Sequence, residues 1–370
     1  MRNQTKHSKG FTLLEILVGL SLSVVVLGGV IAVYVPSVQT WRTTDQLGEI
    51  HDKETTLRDL FTDNIRSAGI IQCDPNKVIA NGLDPSNDQS LVDGWAFLPD
   101  SFLKNSFGAL AANNATDLSG NYGIPTHIAG DAFHTLAPAK GYYRLSEHTA
   151  GADDKTLVLT PATAIFEGAL YLINDCVNPV LVMAQSTDAT NSKLSYTNTV
   201  YNDILHFDNT VVNAFSPSLF YIDNFDANDD GNAIPTLFQR TIDNVAPGDA
   251  FTTTSIPVVT GVDNLRIEYG IATPSGSFVD NYFTIVNFPS TNSMSDVKVV
   301  RLTVMIRSSQ TNGTNAASSL LFPDLNGDLK NCLASGTIDA FACPSHVTAE
   351  PDIARKVITF TLLLPSETAI

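Results

Sequence analysis

Basic residues are scarce in this 370-residue chain: 21 Lys and Arg stand against 38 Asp and Glu, a formal net charge of -17. That deficit argues against a protein that holds nucleic acid by counterion release along a broad basic face, leaving room only for a local patch. Cysteine is sparse as well. Cys73, Cys176, Cys332 and Cys343 form no C-x-x-C pair, so zinc-ribbon and thioredoxin-like readings fail on spacing. An even, low count suits two disulfides in an oxidising compartment. Three pairings are open. We favour Cys73 with Cys176, closing a loop of about a hundred residues, and Cys332 with Cys343, closing a short one.

Catalytic signatures are missing too. The chain has no G-x-x-x-x-G-K-[ST], no G-x-S-x-G, no H-E-x-x-H and no dinucleotide-binding glycine fingerprint after a strand. Its seven histidines show no metal-ligand spacing beyond a loose pair, His127 and His134, which reads as surface. No repeat of solenoid period and no long low-complexity tract occurs. What remains, 44% hydrophobic and 16% charged with 23 Gly and 18 Pro, is a folded, loop-rich composition with room for two medium domains or one elaborated one.

The N-terminus carries the strongest signal. Ile16 to Val35 is a run of 20 residues without a formal charge. As a helix rising about 1.5 Å per residue it would span about 30 Å, the hydrocarbon thickness of a bilayer. Ahead of it stands MRNQTKHSKG, basic and polar, which by the positive-inside tendency keeps the N-terminus cytoplasmic and sends the rest outward. A secretory signal has its small-residue cleavage site after the apolar region; here Gly10 precedes it, so cutting there would retain the helix. Glu15 lies inside the hydrophobic stretch, where a buried carboxylate costs roughly 3 kcal/mol unless paired.

GFTLLEILVGL, Gly10 to Leu20, resembles the processing site of type IV prepilins and of the pseudopilins of type II secretion. The resemblance implies that a prepilin peptidase cuts between Gly10 and Phe11 and methylates the new amino group of Phe11. It also implies that Glu15 meets a Phe11 amine, its own or a neighbour's, when subunits pack. Many major pilins carry a proline near the middle of this helix; this chain has Ala32 there, with Gly28 and Gly29 earlier and Pro36 later.

Beyond the apolar run, Val38, Trp41, Leu47, Ile50, Leu57, Phe61 and Ile65 recur at helical spacing, with Asp45, Glu49, Asp52, Asp59 and Asp63 between them. This predicts an amphipathic continuation of the helix, ending near Ala68 with Gly69 just past its end. Residues 72–155 are rich in Asn, Asp, Gly, Ser and Pro and read as loops. From Leu157 onward, β-rich runs are bounded by turn residues: LVLT, ALYLIN, VLVMAQ, LFYID, LFQRTI, LRIEYGI, KVVRLTVMIR and KVITFTLLL. In the seventh, Val300, Leu302, Val304 and Ile306 alternate with Arg301, Thr303, Met305 and Arg307, which predicts a strand with one face on the core.

RSAGIIQC, GALYLINDC, LFYIDN, LFQRTI, VVTGVDNLRIEYGI and VKVVRLTVMIRSS together are similar to the W-type minor pilins of type IV pilus systems. The expected fold is therefore α+β, a type IV pilin fold. A long N-terminal helix, half transmembrane and half amphipathic, would pack on an antiparallel sheet domain with long loops. The expected organisation is a cleaved leader over 1–10, a helix over 11–68 (11–36 transmembrane, 37–68 amphipathic), a loop-rich region over 69–156 and a β-rich domain over 157–370. The expected function is a non-enzymatic minor pilin, processed and incorporated into a filament or its priming or tip complex. Its partners would be the prepilin peptidase, other minor and major pilins, the inner-membrane assembly platform and membrane lipid. It would be held in the inner membrane before assembly and then pass to the periplasm and an extracellular pilus. A type II secretion pseudopilin and a tip adhesin are the alternatives.

No cofactor is expected unless calcium is one. Asp226, Asn228 and Asp230, followed by Gly231, match the first three ligands and turn glycine of a calcium loop, but position twelve is Leu237 and the bidentate glutamate is missing. A solvated Asx-rich turn is the other reading. Asp324, Asn326 and Asp328 with Gly327 form a weaker copy.

Overall fold

The computed structural model describes residues 12–67, 80–81, 107–110, 128–138, 143–150, 155–160, 170–174, 180–184, 186–188, 193–196, 210–226, 231–242, 253–272, 279–284, 286–289, 297–311, 320–324, 326–332, 342–349 and 353–363. Its first element, α1, is a 55-residue helix, Leu13–Ser67. The Ala68 boundary read from sequence and Gly69 lie outside the described residues. The chain divides into two compact units, Met1–Glu49 and Ile50–Ile370.

In the first unit α1 runs unbroken through Gly28, Gly29 and Pro36. Its apolar side chains from Leu13 to Val35 are exposed. Trp41 and Leu47, expected on the packing stripe, are 69% and 60% exposed. For Trp41 the reason is angular: at about 100° per residue it projects half a turn away from Ile50.

In the second unit the strands are β1 (Ala80–Asn81), β2 (Phe107–Leu110), β3 (Ala132–Pro138), β4 (Tyr143–Ala150), β5 (Lys155–Thr160), β6 (Leu170–Asn174), β7 (Val180–Met183), β8 (Ser186–Asp188) and β9 (Lys193–Tyr196). They continue with β10 (Val211–Phe225), β11 (Ile234–Ile242), β12 (Thr253–Thr260), β13 (Val262–Ala272), β14 (Val279–Thr284), β15 (Val297–Thr311), β16 (Leu321–Pro323) and β17 (Leu329–Asn331). A short helix, α2 (Ser345–Ala349), precedes the last strand, β18 (Ile353–Leu363).

Among the described residues β14, β13, β15 and β18 form a four-stranded antiparallel sheet in that order. The register sets Ile267 beside Leu302 and Leu302 beside Phe360, so alternate residues of three strands share one apolar face. That face packs against Ile50, Leu57, Phe61 and Ile65 of α1, while Asp52, Asp59 and Asp63 point to solvent. The remaining strands, apart from the β16–β17 hairpin, belong to a twelve-stranded sheet that is antiparallel except where β1 meets β7. Its 15-residue strand β10 pairs with β6 and β4 at one end and with β3 and β11 at the other.

An aromatic column ties helix to both sheets. The Phe61 ring lies edge-on to Phe360 of β18 at 6.0 Å and to Phe133 of β3 at 5.7 Å, and Phe133 stacks on Phe220 of β10 at 4.7 Å. A second core, built from Leu157, Leu159, Tyr171, Ile173, Val182, Leu194 and Val212, lies within the larger sheet's other end. A third joins Met305 to Leu320, Phe322, Cys332, Ala342, Cys343 and Val347. The far face of β15 is thus covered as well: Thr303, Met305 and Arg307 are all buried, where the alternation predicted only one packed face.

Candidate functional site

The processing residues Gly10 and Phe11 lie outside the described residues; Thr12 and Glu15 lie within them. Thr12 is the N-cap of α1. Its hydroxyl accepts from the Glu15 N–H at 3.3 Å, and the Glu15 carboxylate accepts from the Thr12 N–H at 3.0 Å and from its hydroxyl at 3.1 Å. This reciprocal arrangement satisfies donors that the first helical turn would otherwise leave open. The signal was present as T-x-x-E in Thr12-Leu13-Leu14-Glu15. Glu15 therefore ends the membrane helix in an orderly way as well as being the acidic residue of the expected processing motif.

A buried polar system covers the face of the four-stranded sheet turned away from α1. Asp131, just before β3, donates its N–H to the Leu265 carbonyl at 2.7 Å, and its carboxylate accepts from the Ile267 N–H at 2.8 Å. β14 pairs with β13 only from Glu268 to Ala272, so ahead of that point Asp131 supplies two of the hydrogen bonds a neighbouring strand would make, while the Leu265 N–H donates to Asn264 Oδ1 at 2.9 Å. Its other oxygen takes the Arg266 guanidinium at 2.7 Å, with both side chains 2% exposed. Burial pushes the Asp131 carboxyl up to about 6, against the pull of Arg266 and of the Ile267 N–H. The neighbouring Ile128 N–H donates to the Ile222 carbonyl of β10, so the 128–131 segment is stitched to both sheets. Gly130, at φ 73°, permits the approach: a Cβ there would lie 2.5 Å from Asn264 Oδ1 and from the Leu265 carbonyl oxygen.

Two further carboxylates complete the system. Glu268 grips Arg301 through two hydrogen bonds of 2.8 and 2.6 Å, and that guanidinium lies 4.0 Å over the Tyr282 ring. Asp263, fully buried, faces Arg355 at 2.7 Å, His346 of α2 at 3.3 Å and Arg307 at 3.5 Å. Burial alone would raise its pKa, but His346, Arg355 and Arg307 together hold it below the usual carboxylate range. On the helix side Glu54 accepts from Lys356 of β18 at 2.7 Å and is held low chiefly by that bond. The buried carboxylates are bound to guanidiniums that fix sheet and loop positions. That is structural chemistry.

Cys332 and Cys343 are joined by a disulfide with Cα atoms 5.1 Å apart, buried in the third core. Cys73 and Cys176 lie outside the described residues. Of the calcium run, Asn228 and Asp230 also lie outside them. Asp226 Oδ2 accepts from the Gly231 N–H at 2.7 Å, and Gly231 has φ 84°. In the second run Asp324 Oδ1 accepts from the backbone N–H groups of Asn326 and Asp328, while Lys330 lies 3.3 Å from Oδ2. Burial would raise the Asp324 carboxyl, yet these donors hold it low, and the run is an Asx turn closing the β16–β17 hairpin. Among the described residues no group of three His, Cys, Asp or Glu could hold a metal ion.

α1 is also long and apolar enough to cross a membrane. A capped apolar N-terminal helix followed by antiparallel sheets is an α+β architecture consistent with the type IV pilin fold, and so with the class of membrane-anchored filament subunits. Residues 5–31 match the prokaryotic N-terminal methylation motif, and residues 219–365 match the family of the Type IV Pilus-assembly protein W. The two matches support placing the chain in the type IV minor pilin family, and the motif with its helix fits a membrane-anchored pilin that later joins the pilus. No curated protein and no solved structure matches the chain. The second match spans β11 to β18 and the second half of β10, and so contains Asp263, Arg266, Glu268, Arg301, Arg307 and Arg355.

Proposed function

We propose that the chain is a non-enzymatic structural minor pilin, cut between Gly10 and Phe11 by a prepilin peptidase, methylated on the Phe11 amine and built into a type IV pilus or its priming or tip complex. The observation that carries this reading is the methylation-motif match over residues 5–31, laid on a helix whose apolar side chains are exposed from Leu13 to Val35. Exposed apolar surface of that extent needs lipid before assembly and neighbouring helices after it. Other pilins and the inner-membrane assembly platform are the partners this implies. The match to the pilus-assembly W family favours a pilus over a secretion machine.

Within a filament, the ammonium of Phe11 and the carboxylate of Glu15 from adjacent subunits would offset each other's desolvation cost. Mass spectrometry of sheared filaments tests the reading. The expected first residue is N-methylated Phe11; an intact Met1 in assembled filaments would overturn it.

A further inference from the structure

From Ile16 to Trp41 α1 carries no formally charged residue; the first charges on either side are Glu15 and Arg42. They are separated by about 40 Å along a helix rising about 1.5 Å per residue, which is the full thickness of a bilayer including its headgroup layers, about 40–45 Å. The apolar core of that span ends near Val35, and the stretch PSVQTW, Pro36 to Trp41, mixes apolar with polar side chains as the region between hydrocarbon and water requires. Tyr34 and Trp41 are 66% and 69% exposed and seven residues apart, which puts both rings on one side of the helix. Aromatic side chains with one polar atom favour this boundary.

The serine and threonine hydroxyls on the span are already satisfied by the helix itself. Ser21 donates to the Val18 carbonyl, Ser23 to Gly19, Ser37 to Val33 and Thr40 to Pro36, at 2.9, 2.7, 2.8 and 2.9 Å. Each would otherwise bring an unmet donor into lipid, where an unsatisfied polar group is costly. Past Arg42 the pattern changes to Asp45 and Glu49, the first acidic residues of the water-facing helix.

We propose that, in the unassembled subunit, the lipid-contacting part of α1 extends to Trp41, with Tyr34 and Trp41 lying in the outer interface and Arg42 meeting lipid phosphates. Glu15 then lies in the opposite headgroup layer, with its carboxylate on Thr12, and no charge enters the hydrocarbon. The partner is the headgroup boundary of a phospholipid bilayer. This rests on the reading of α1 as a membrane anchor and adds its depth and the residues that set it.

The chain has two tryptophans, so Trp95→Phe leaves Trp41 as the single reporter. The full-length variant is reconstituted in phosphatidylcholine–phosphatidylglycerol vesicles carrying bromine near the headgroups or near the bilayer centre. Flotation with the vesicles is scored first. The expected result is flotation, blue-shifted Trp41 emission, and quenching several-fold stronger by the shallow bromine than by the deep one or by aqueous iodide. Flotation with Trp41 open to iodide and untouched by either lipid overturns the proposal and leaves the anchor standing, as does dominant quenching by the deep bromine. Failure to float removes the anchor itself and the proposal with it.

Discussion

Asp131 and Arg266 meet at 2.7 Å with almost no contact with water, 135 residues apart in sequence, at the point where the 128–131 segment joins the four-stranded sheet. Removing either partner alone strands a buried charge. Arg266 left without Asp131 in an Asp131→Ala variant is expected to cost roughly 3–5 kcal/mol, measured by urea unfolding of the detergent-solubilised chain. The double change to Asp131→Leu with Arg266→Met should recover only part, because the Ile267 N–H still loses its acceptor. Full recovery would mean that the backbone hydrogen bond is worth nothing.

The same residue predicts a pH profile. Its folded pKa, about 6, lies above the ordinary 3.8, so the native state holds this proton more tightly than the unfolded chain. Through Asp131, stability rises as pH falls from about 6 to about 4. Asp263, Glu54 and Asp324 have lowered pKa values, and their contribution is present above the ordinary carboxylate range and lost as pH falls below it. Urea unfolding in pH steps should therefore show wild type gaining on an Asp131→Asn variant between pH 6 and 4, before both fall at lower pH. Parallel curves between pH 4 and 6 would refute the assignment.

At the N-terminus, capping and assembly can be separated. Thr12→Val removes the hydroxyl from the cap but keeps the Glu15 charge, and should fray the first turn of α1 at a cost of about 1 kcal/mol, read as faster amide exchange there. Leader cleavage and incorporation should persist. Glu15→Ala should allow cleavage but impair incorporation into filaments. Equal incorporation of the two variants would show that Glu15 acts only as a capping residue.

The Cys332–Cys343 bridge closes a short loop inside an apolar cluster. Its paired replacement by Ala should cost about 3 kcal/mol by the loop-entropy model. Non-reducing peptide mapping should recover these two cysteines linked to each other; Cys73 linked to Cys332 would contradict the fold.

For the Asp226 turn, Asp226→Ala should lower stability by about 1 kcal/mol, through loss of the bond from the Gly231 N–H. The loss should be the same in calcium and in chelator. A wild-type melting temperature that drops on chelation would instead assign the turn a cation.

Helical period and strand alternation made α1 legible, along with β13, β15 and β18, because each buries a long regular stripe on one partner. β3 and β4 were hidden inside the segment read as loops: AFHTLAP and YRLSEHTA do not show a clean two-residue alternation. The polar network was hidden for a different reason. In LRIEYGI, Arg266 and Glu268 alternate with Leu265, Ile267 and Tyr269 just as solvent-facing residues would, and only a second layer of chain over that face shows that they are buried. Asp131 gave no local sign at all, since its role depends on where β14 stops pairing with β13.

The column Phe360–Phe61–Phe133–Phe220 has a mechanical consequence. A pull along the axis of α1 between Ile50 and Ser67 loads Phe61 sideways against rings from two sheets at once, together with the Glu54–Lys356 bond. Contacts loaded in shear resist as a set and must give way together, whereas contacts peeled from one end fail in turn. A subunit held by its helix would carry tension through this short stretch into both sheets, with Phe61 as the point where the load divides.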